Sequence, residues 1–231
     1  MTDEELYAYA KAHKKEFFDR LVAGYKRSPD RPVAFFMTGL PGSGKSEFAT
    51  AIHHRQPGLI NLDVDVYRSW LPGYTGTNAP SYQRPAVLLL NNFFDRLLKK
   101  KYSFLFDATF ASPKAVENIE RCLHRNYHVV IEYVYQSPAH CLSFTRQRAK
   151  VTGRIVPTQV IFNDYFQILA NLSQVQTKYS AQVLFNVHKK DLIGQNQQDY
   201  FNVHTNIKDL VQQMDRLYTK EELWRELAWM P

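Results

Sequence analysis

Val33-Ala34-Phe35-Phe36-Met37-Thr38-Gly39-Leu40-Pro41-Gly42-Ser43-Gly44-Lys45-Ser46-Glu47-Phe48-Ala49 is the stretch whose reading decides the fold. Val33 to Met37 is an unbroken apolar run of strand length, as expected of a strand covered on both faces in a parallel sheet. Gly39 to Ser46 follows the spacing GxxxxGK[ST], and Glu47-Phe48-Ala49-Thr50-Ala51-Ile52 is compatible with a helix. Glycines open backbone angles closed to other residues, so successive N–H groups can converge on phosphate oxygens where the helix begins. Lys45 adds a mobile positive charge. Ser46 adds a hydroxyl suited to Mg²⁺, which takes hard oxygen ligands and bridges the β- and γ-phosphates. Gly39, Leu40, Pro41, Gly42, Ser43, Gly44, Lys45, Ser46 and Glu47 are the predicted nucleotide-binding residues, with Ser46 the predicted Mg²⁺ contact and ATP or GTP the expected phosphate donor.

Outward from this loop, short apolar runs recur at Leu59-Ile60-Asn61-Leu62, at 103–106, at 128–135 and at 183–187, with helical patterns between them. Strand and helix in alternation predict an α/β fold, a three-layer α/β/α arrangement of the P-loop NTPase and kinase type with a mostly parallel sheet. Chemistry then belongs at the carboxyl ends of the strands, after Met37, Leu62 and Phe106. A single domain over 1–231 is expected, with an amphipathic helix over about 4–25, a core over 33–187, and a strand and helical segment over 188–231. Leu6, Tyr9, Ala10, Phe17, Phe18, Leu21 and Val22 line one face of the first helix, which is expected to pack on the sheet. Residues 74–81 read as a loop, and 194–198 as a turn joining two late strands. A helix is expected over about 206–227, with Trp224 and Trp229 as packing anchors.

No apolar run approaches the roughly 20 residues that a membrane-spanning helix needs, and the opening Met1-Thr2-Asp3-Glu4-Glu5-Leu6 is acidic where a secretory leader would be basic and then apolar. A cytoplasmic protein with no membrane partner is expected. Cys122 and Cys141 are too few for a disulfide scaffold and lack the spacing of a zinc site. The net charge of +7 suits an anionic partner without choosing one. Its densest run, Lys99-Lys100-Lys101, sits where a helix ends and cations meet the negative pole of the helix dipole.

Phosphate cradles serve switches and motors as well as kinases, so the remaining residues must decide. The chain has no Asn-Lys-x-Asp segment for guanine and is short for a motor, which favours transfer to a small acceptor. Asp63 and Asp65 follow the second strand, where a carboxylate can orient an acceptor hydroxyl and take its proton. Either one could be the base, and for Asp63 a cap on the following helix is the even alternative. Asp107 closes the third strand with three roles open to it: steadying magnesium through water, binding a substrate hydroxyl, or capping. Thr109 would support whichever holds. The basic segment 145–154 precedes Ile155-Val156-Pro157 as a lid over the phosphates would, with Arg148 and Arg154 as the expected phosphate contacts.

Gly39 to Ser46, Leu62-Asp63-Val64-Asp65-Val66-Tyr67-Arg68, Phe106-Asp107-Ala108-Thr109, and Arg148 through Gly153-Arg154-Ile155-Val156-Pro157 together resemble the zeta toxin family over most of residues 33–187. That family comprises bacterial P-loop kinases acting on UDP-N-acetylglucosamine and related UDP-sugars, which poisons cell-wall precursor synthesis. The resemblance implies Asp65 as catalytic base, Lys45 and Ser46 as phosphate and magnesium contacts, and Arg148 and Arg154 as γ-phosphate arginines, with Arg146 a competitor to Arg148. It implies substrate contacts at Asp63, Arg68, Asn91, Asp107 and Thr109. Asn91 falls where the family has a glutamate, Asp107 is a shorter acid than the family's, and Phe110-Ala111-Ser112 offers no match for a substrate arginine. A small epsilon-like antitoxin is the implied partner, and nucleic acid is not expected. Two other classes stay open: a P-loop kinase for another hydroxyl, such as a nucleic-acid end or an antibiotic, and a nucleotide-dependent interaction module.

Overall fold

The apolar run at the head of the cradle forms β1 (Val33–Thr38), the central strand of a six-stranded sheet. The structure is a computed structural model that describes residues 1–28, 30–190, 200–204 and 216–229, with Lys190 and residues 200–204 described by backbone alone. The other strands are β2 (Ile60–Asp63), β3 (Phe104–Asp107), β4 (His128–Tyr135), β5 (Val183–Lys190) and β6 (Tyr200–His204), in the order β2-β3-β1-β4-β5-β6. The first five run parallel and β6 is antiparallel to β5. The chain leaves β1 toward one side of the sheet and returns to its other side at β4. The carboxyl end of β1 is therefore a crevice between diverging connections, where open parallel sheets bind ligands.

The helices are α1 (Asp3–Leu21), α2 (Lys45–Arg55), α3 (Val64–Ser69), α4 (Ala79–Lys100), α5 (Ala115–Leu123), α6 (Pro138–Thr152), α7 (Thr158–Tyr179) and α8 (Lys220–Ala228). The two faces of the sheet are covered unequally. Ala34, Phe36, Phe104, Ile131 and Tyr133 form the larger core with α4, α5, α6 and α7. Phe35, Met37, Leu105, Val130 and Val134 meet Ala49 and Ile52 of α2 on the other face. Burial on both faces explains why β1 and β4 carry apolar residues without alternation.

Several expected boundaries move. The first helix ends at Leu21 and packs on α4 as an outer layer, not on the sheet, with Phe18 against Phe93 at 6.0 Å between ring centroids and Phe17 against Trp70 at 5.9 Å. The loop read over 74–81 ends at Asn78, because Pro80 sits in the first turn of α4, where a missing N–H costs nothing. At the far end, α4 stops at Lys100 and Lys101 takes a left-handed cap, so the lysine run does end a helix. Of the helix expected over about 206–227, the part up to residue 215 lies outside the described residues; the described part is helical from Lys220, after a capping box between Thr219 and Glu222. Its anchors are Leu223 and Leu227, both buried, whereas Trp229 is 83% exposed and Trp224 only edges onto Phe162. The turn read at 194–198 lies outside the described residues. Both cysteines are buried and in no disulfide, and among the described residues no helix is long and apolar enough to cross a membrane.

Candidate active site

The cradle is wedged between β4 and α6, and that wedging dictates its glycines. Gly39 has φ of 142° and a Cβ there would lie well inside contact distance of the Val134 carbonyl oxygen. Gly42 has φ of 87°, and a Cβ would come 2.5 Å from the Cys141 carbonyl oxygen at the start of α6. The Gly39 N–H (3.3 Å) and the Thr38 hydroxyl (3.2 Å) both donate to the Thr109 carbonyl, which fastens the loop after β3 to the mouth of the cradle. Thr109 spends its own hydroxyl accepting from the Ala111 N–H at 3.3 Å. The described contacts of this residue are thus structural.

Two features of the loop suit a polyphosphate. The Ser43 hydroxyl is fully buried with no hydrogen-bond partner, which leaves a donor aimed into the cradle. Lys45 Nζ donates to the Leu40 carbonyl at 2.8 Å, and the same carbonyl also accepts from the Ser43 N–H at 3.1 Å. Lys45 can therefore leave for a phosphate oxygen without orphaning that carbonyl. Burial holds the Lys45 pKa below its ordinary value, and Asp107 opposes the shift. Ser46 is exposed in the first turn of α2, with Glu47 beside it.

Acids collect at the ends of β2 and β3. Asp63 and Asp107 are paired in register. Burial, followed by the charge of Asp107, pushes Asp63 up to about 6, and burial also raises Asp107 against the pull of Lys45. Asp63 Oδ1 accepts from the Asp65 N–H at 2.8 Å and caps α3, so of its two open roles the described contact is the cap. Asp65 and Glu47 add to the negative potential felt by Asp107. A divalent cation would relieve this crowding of oxygens. Among the described residues no three such side chains converge into a metal cage.

Asp65, on the first turn of α3, has a 45% exposed side chain with an arginine on each oxygen. Arg68 Nη1 donates to Oδ1 and Arg154 Nη1 donates to Oδ2. Arg68 is only 4% exposed, and its Nη2 donates to Gln83 Oε1 in the first turns of α4. Arg68 thus faces inward as a strut behind Asp65. Asn91, the other residue placed on the acceptor side, is exposed on α4 and stands eight residues, or about 12 Å, beyond Gln83. Among the described residues no hydrogen bond or ion pair links it to Asp65, Arg68 or Gln83.

The basic segment is the last two turns of α6 followed by an irregular stretch to Pro157, with Gly153 as the left-handed cap. Arg148 is exposed, and its charge adds a small push to the lowering of Lys45. Arg146 is partly buried and engaged in its own interactions. Sequence reasoning missed Gln83, which no motif marks, and Asp164. Asp164 is pushed up to about 6 by burial while Lys45 pulls it down, so α7 also presents a carboxylate to the cradle. It is the lone acid of a 22-residue helix, and that was a readable signal. On the far side of α2, His188 Nε2 meets Glu132 Oε2 at 2.6 Å beneath Phe48, tying β4 to β5 behind the cradle.

Comparison with known proteins agrees with this arrangement. No curated protein matches the chain by sequence. Among solved structures, one described as the PezAT chromosomal toxin-antitoxin system of Streptococcus pneumoniae superimposes with a TM-score of 0.70 at 17% identity, covering 96% of each chain. The AvrRxo1-ORF1:-ORF2 structure with ATP gives 0.61 at 12% identity, over 91% of this chain and 70% of the other. A Pnkp1/Rnl/Hen1 RNA repair complex gives 0.51 at 18% identity, over 64% of this chain and 47% of the other. These likenesses carry the fold, a P-loop α/β architecture. The zeta toxin family model matches residues 18–205, which spans the cradle, the paired acids and the arginine lid alike, and the chain belongs to the zeta toxin family.

Proposed function

We propose that this chain is a kinase that transfers the γ-phosphate of ATP or GTP to a sugar hydroxyl of UDP-N-acetylglucosamine or a related UDP-sugar. The observation that carries the reading is the placement of Asp65: a half-exposed carboxylate beside the cradle, oriented from behind by Arg68 and touched in front by Arg154. Phosphoryl transfer asks mainly for positioning and for charge to be met where it develops. The Gly39–Ser46 amides and the Ser43 hydroxyl hold the phosphate tail. Lys45 moves from the Leu40 carbonyl to a phosphate oxygen, and Arg148 covers the same group. Asp65 Oδ2 orients the acceptor hydroxyl and takes its proton once Arg154 turns from the carboxylate to the transferring phosphate. Ser46, with the Asp63–Asp107 pair nearby, would hold Mg²⁺, which would supply charge neutralisation on the phosphates.

The experiment is incubation with UDP-N-acetylglucosamine, Mg²⁺ and triphosphate, with mass spectrometry of the sugar nucleotide. A phosphorylated product that disappears in Asp65→Asn supports the reading, and no product across a panel of UDP-sugars defeats it. The net charge of +7 favours a second reading, a nucleic-acid end as acceptor, which transfer of labelled phosphate to oligonucleotides would reveal. We also propose a small epsilon-like antitoxin as partner, because the structure superimposing at 0.70 is described as a toxin-antitoxin system. Co-expression with such a protein should relieve growth arrest caused by this chain, and Asp65→Asn should cause none.

A further inference from the structure

We propose that Gln83 is a positioning residue for the base, acting through Arg68. The inference rests on Asp65 being that base. Rotation about the bond that carries a carboxyl group is broad, so an aspartate on a short helix does not by itself present one particular oxygen. Here the choice is made from behind. Arg68 fixes Oδ1 with one arm of its guanidinium, a charge-assisted bond of the stronger kind, and so leaves Oδ2 facing the lid. The guanidinium is buried, and its Nε has no hydrogen-bond partner. With one edge unpaired, its hydrogen bonds among the described residues are two, Asp65 on Nη1 and Gln83 on Nη2.

Gln83, fifteen residues from Arg68, thus anchors the base to α4 in a chain of three side chains from α4 through α3 to the acceptor site. A neutral amide is the suitable anchor. It accepts a bond from Arg68 without competing with Asp65 for the positive charge. Gln83 itself is exposed, so truncating it removes the anchor and spares the core.

The test uses ATP turnover stimulated by UDP-N-acetylglucosamine with Mg²⁺, on the full chain. Gln83→Leu, which keeps bulk and removes the acceptor oxygen, is expected to lower kcat about 10-fold with KM for ATP changed by less than ~2-fold, the pattern of a misaligned reacting group. Gln83→Glu, which restores an acceptor, should recover at least half of that loss. In an Arg68→Lys background, Gln83→Leu should cost less than ~2-fold more, because the strut is already cut. A second readout needs no acceptor: the Arg68 guanidinium protons, followed by ¹⁵N NMR, should exchange at least ~5-fold faster with water in Gln83→Leu and at the native rate in Gln83→Glu. Native kcat in Gln83→Leu, equal losses on both backgrounds, or unchanged guanidinium exchange would overturn the proposal. If Asp65→Asn keeps full turnover, the base assignment and the positioning role fall together. If Asp65→Asn is inactive while Gln83→Leu is native, only the positioning role falls.

Discussion

Replacing Asp63 by asparagine should stabilise this protein near neutral pH. The carboxyl is raised from 3.8 to about 6 by burial and by Asp107 alongside, which at 1.36 kcal/mol per pH unit corresponds to about 3 kcal/mol. The sign follows from proton counts. Between pH 4 and 6 the folded state holds more protons than the unfolded state, so stability falls as pH rises, and the full cost is present above the folded-state pKa. Asparagine carries no charge and caps a helix as well as aspartate does, so it keeps the bond from the Asp65 N–H. Asp63 is partly open to solvent and shares its shift with Asp107, so about half the cost, ~1.5 kcal/mol, is expected back. For a chain of this size that is a rise in Tm of about 3–6 °C. Thermal unfolding of the metal- and nucleotide-free protein at pH 7.5 and pH 4 measures it, and the gain should shrink to under ~0.5 kcal/mol at pH 4. An unchanged or lower Tm at pH 7.5, or the same gain at both pH values, would refute the reasoning.

Lys45→Ala should cut turnover by about 10²–10³-fold with the fold intact, since it deletes a charge beside the transferring phosphate and frees a carbonyl that keeps its Ser43 bond; steady-state kinetics beside a far-UV spectrum decides it. Gly42→Ala forces a left-handed backbone on alanine and drives its Cβ to 2.5 Å from the Cys141 carbonyl oxygen, so a loss of about 2–4 kcal/mol in urea unfolding and weakened nucleotide binding by calorimetry are expected. Asn171→Ala should cost about 2–3 kcal/mol in the same unfolding assay. Its Nδ2 donates to the Phe110 (2.8 Å) and Ser112 (3.0 Å) carbonyls and holds Phe110 at a φ of 69°, where a bulky residue is strained.

The sheet was legible in the sequence because β1 and β4 are covered on both faces, and continuous apolar runs are the trace of that covering. The cradle was legible because its spacing, its preceding strand and its following helix express one backbone requirement. Roles set by distant neighbours were not legible. The resemblance implies Arg68 as a substrate contact, and nothing in its motif announces the bond it makes to Gln83 across an intervening loop. Thr109 reads as a side-chain contact, whereas its carbonyl is what the cradle uses. Asn91 was placed by correspondence with a family position, a signal that says nothing of which way its side of α4 faces. The tryptophans near the end read as anchors because of their size, but the face of α8 that turns inward is the one bearing Leu223 and Leu227.

The close seat of Gly42 on the backbone of Cys141 has a mechanical consequence. Cys141 lies on the same rod as Arg148, two turns upstream, so the donor pocket and the arginine above it share one rigid lever. A ligand that spreads the pocket even slightly must push on the near end of that rod, and its far end carries the segment leading to Arg154.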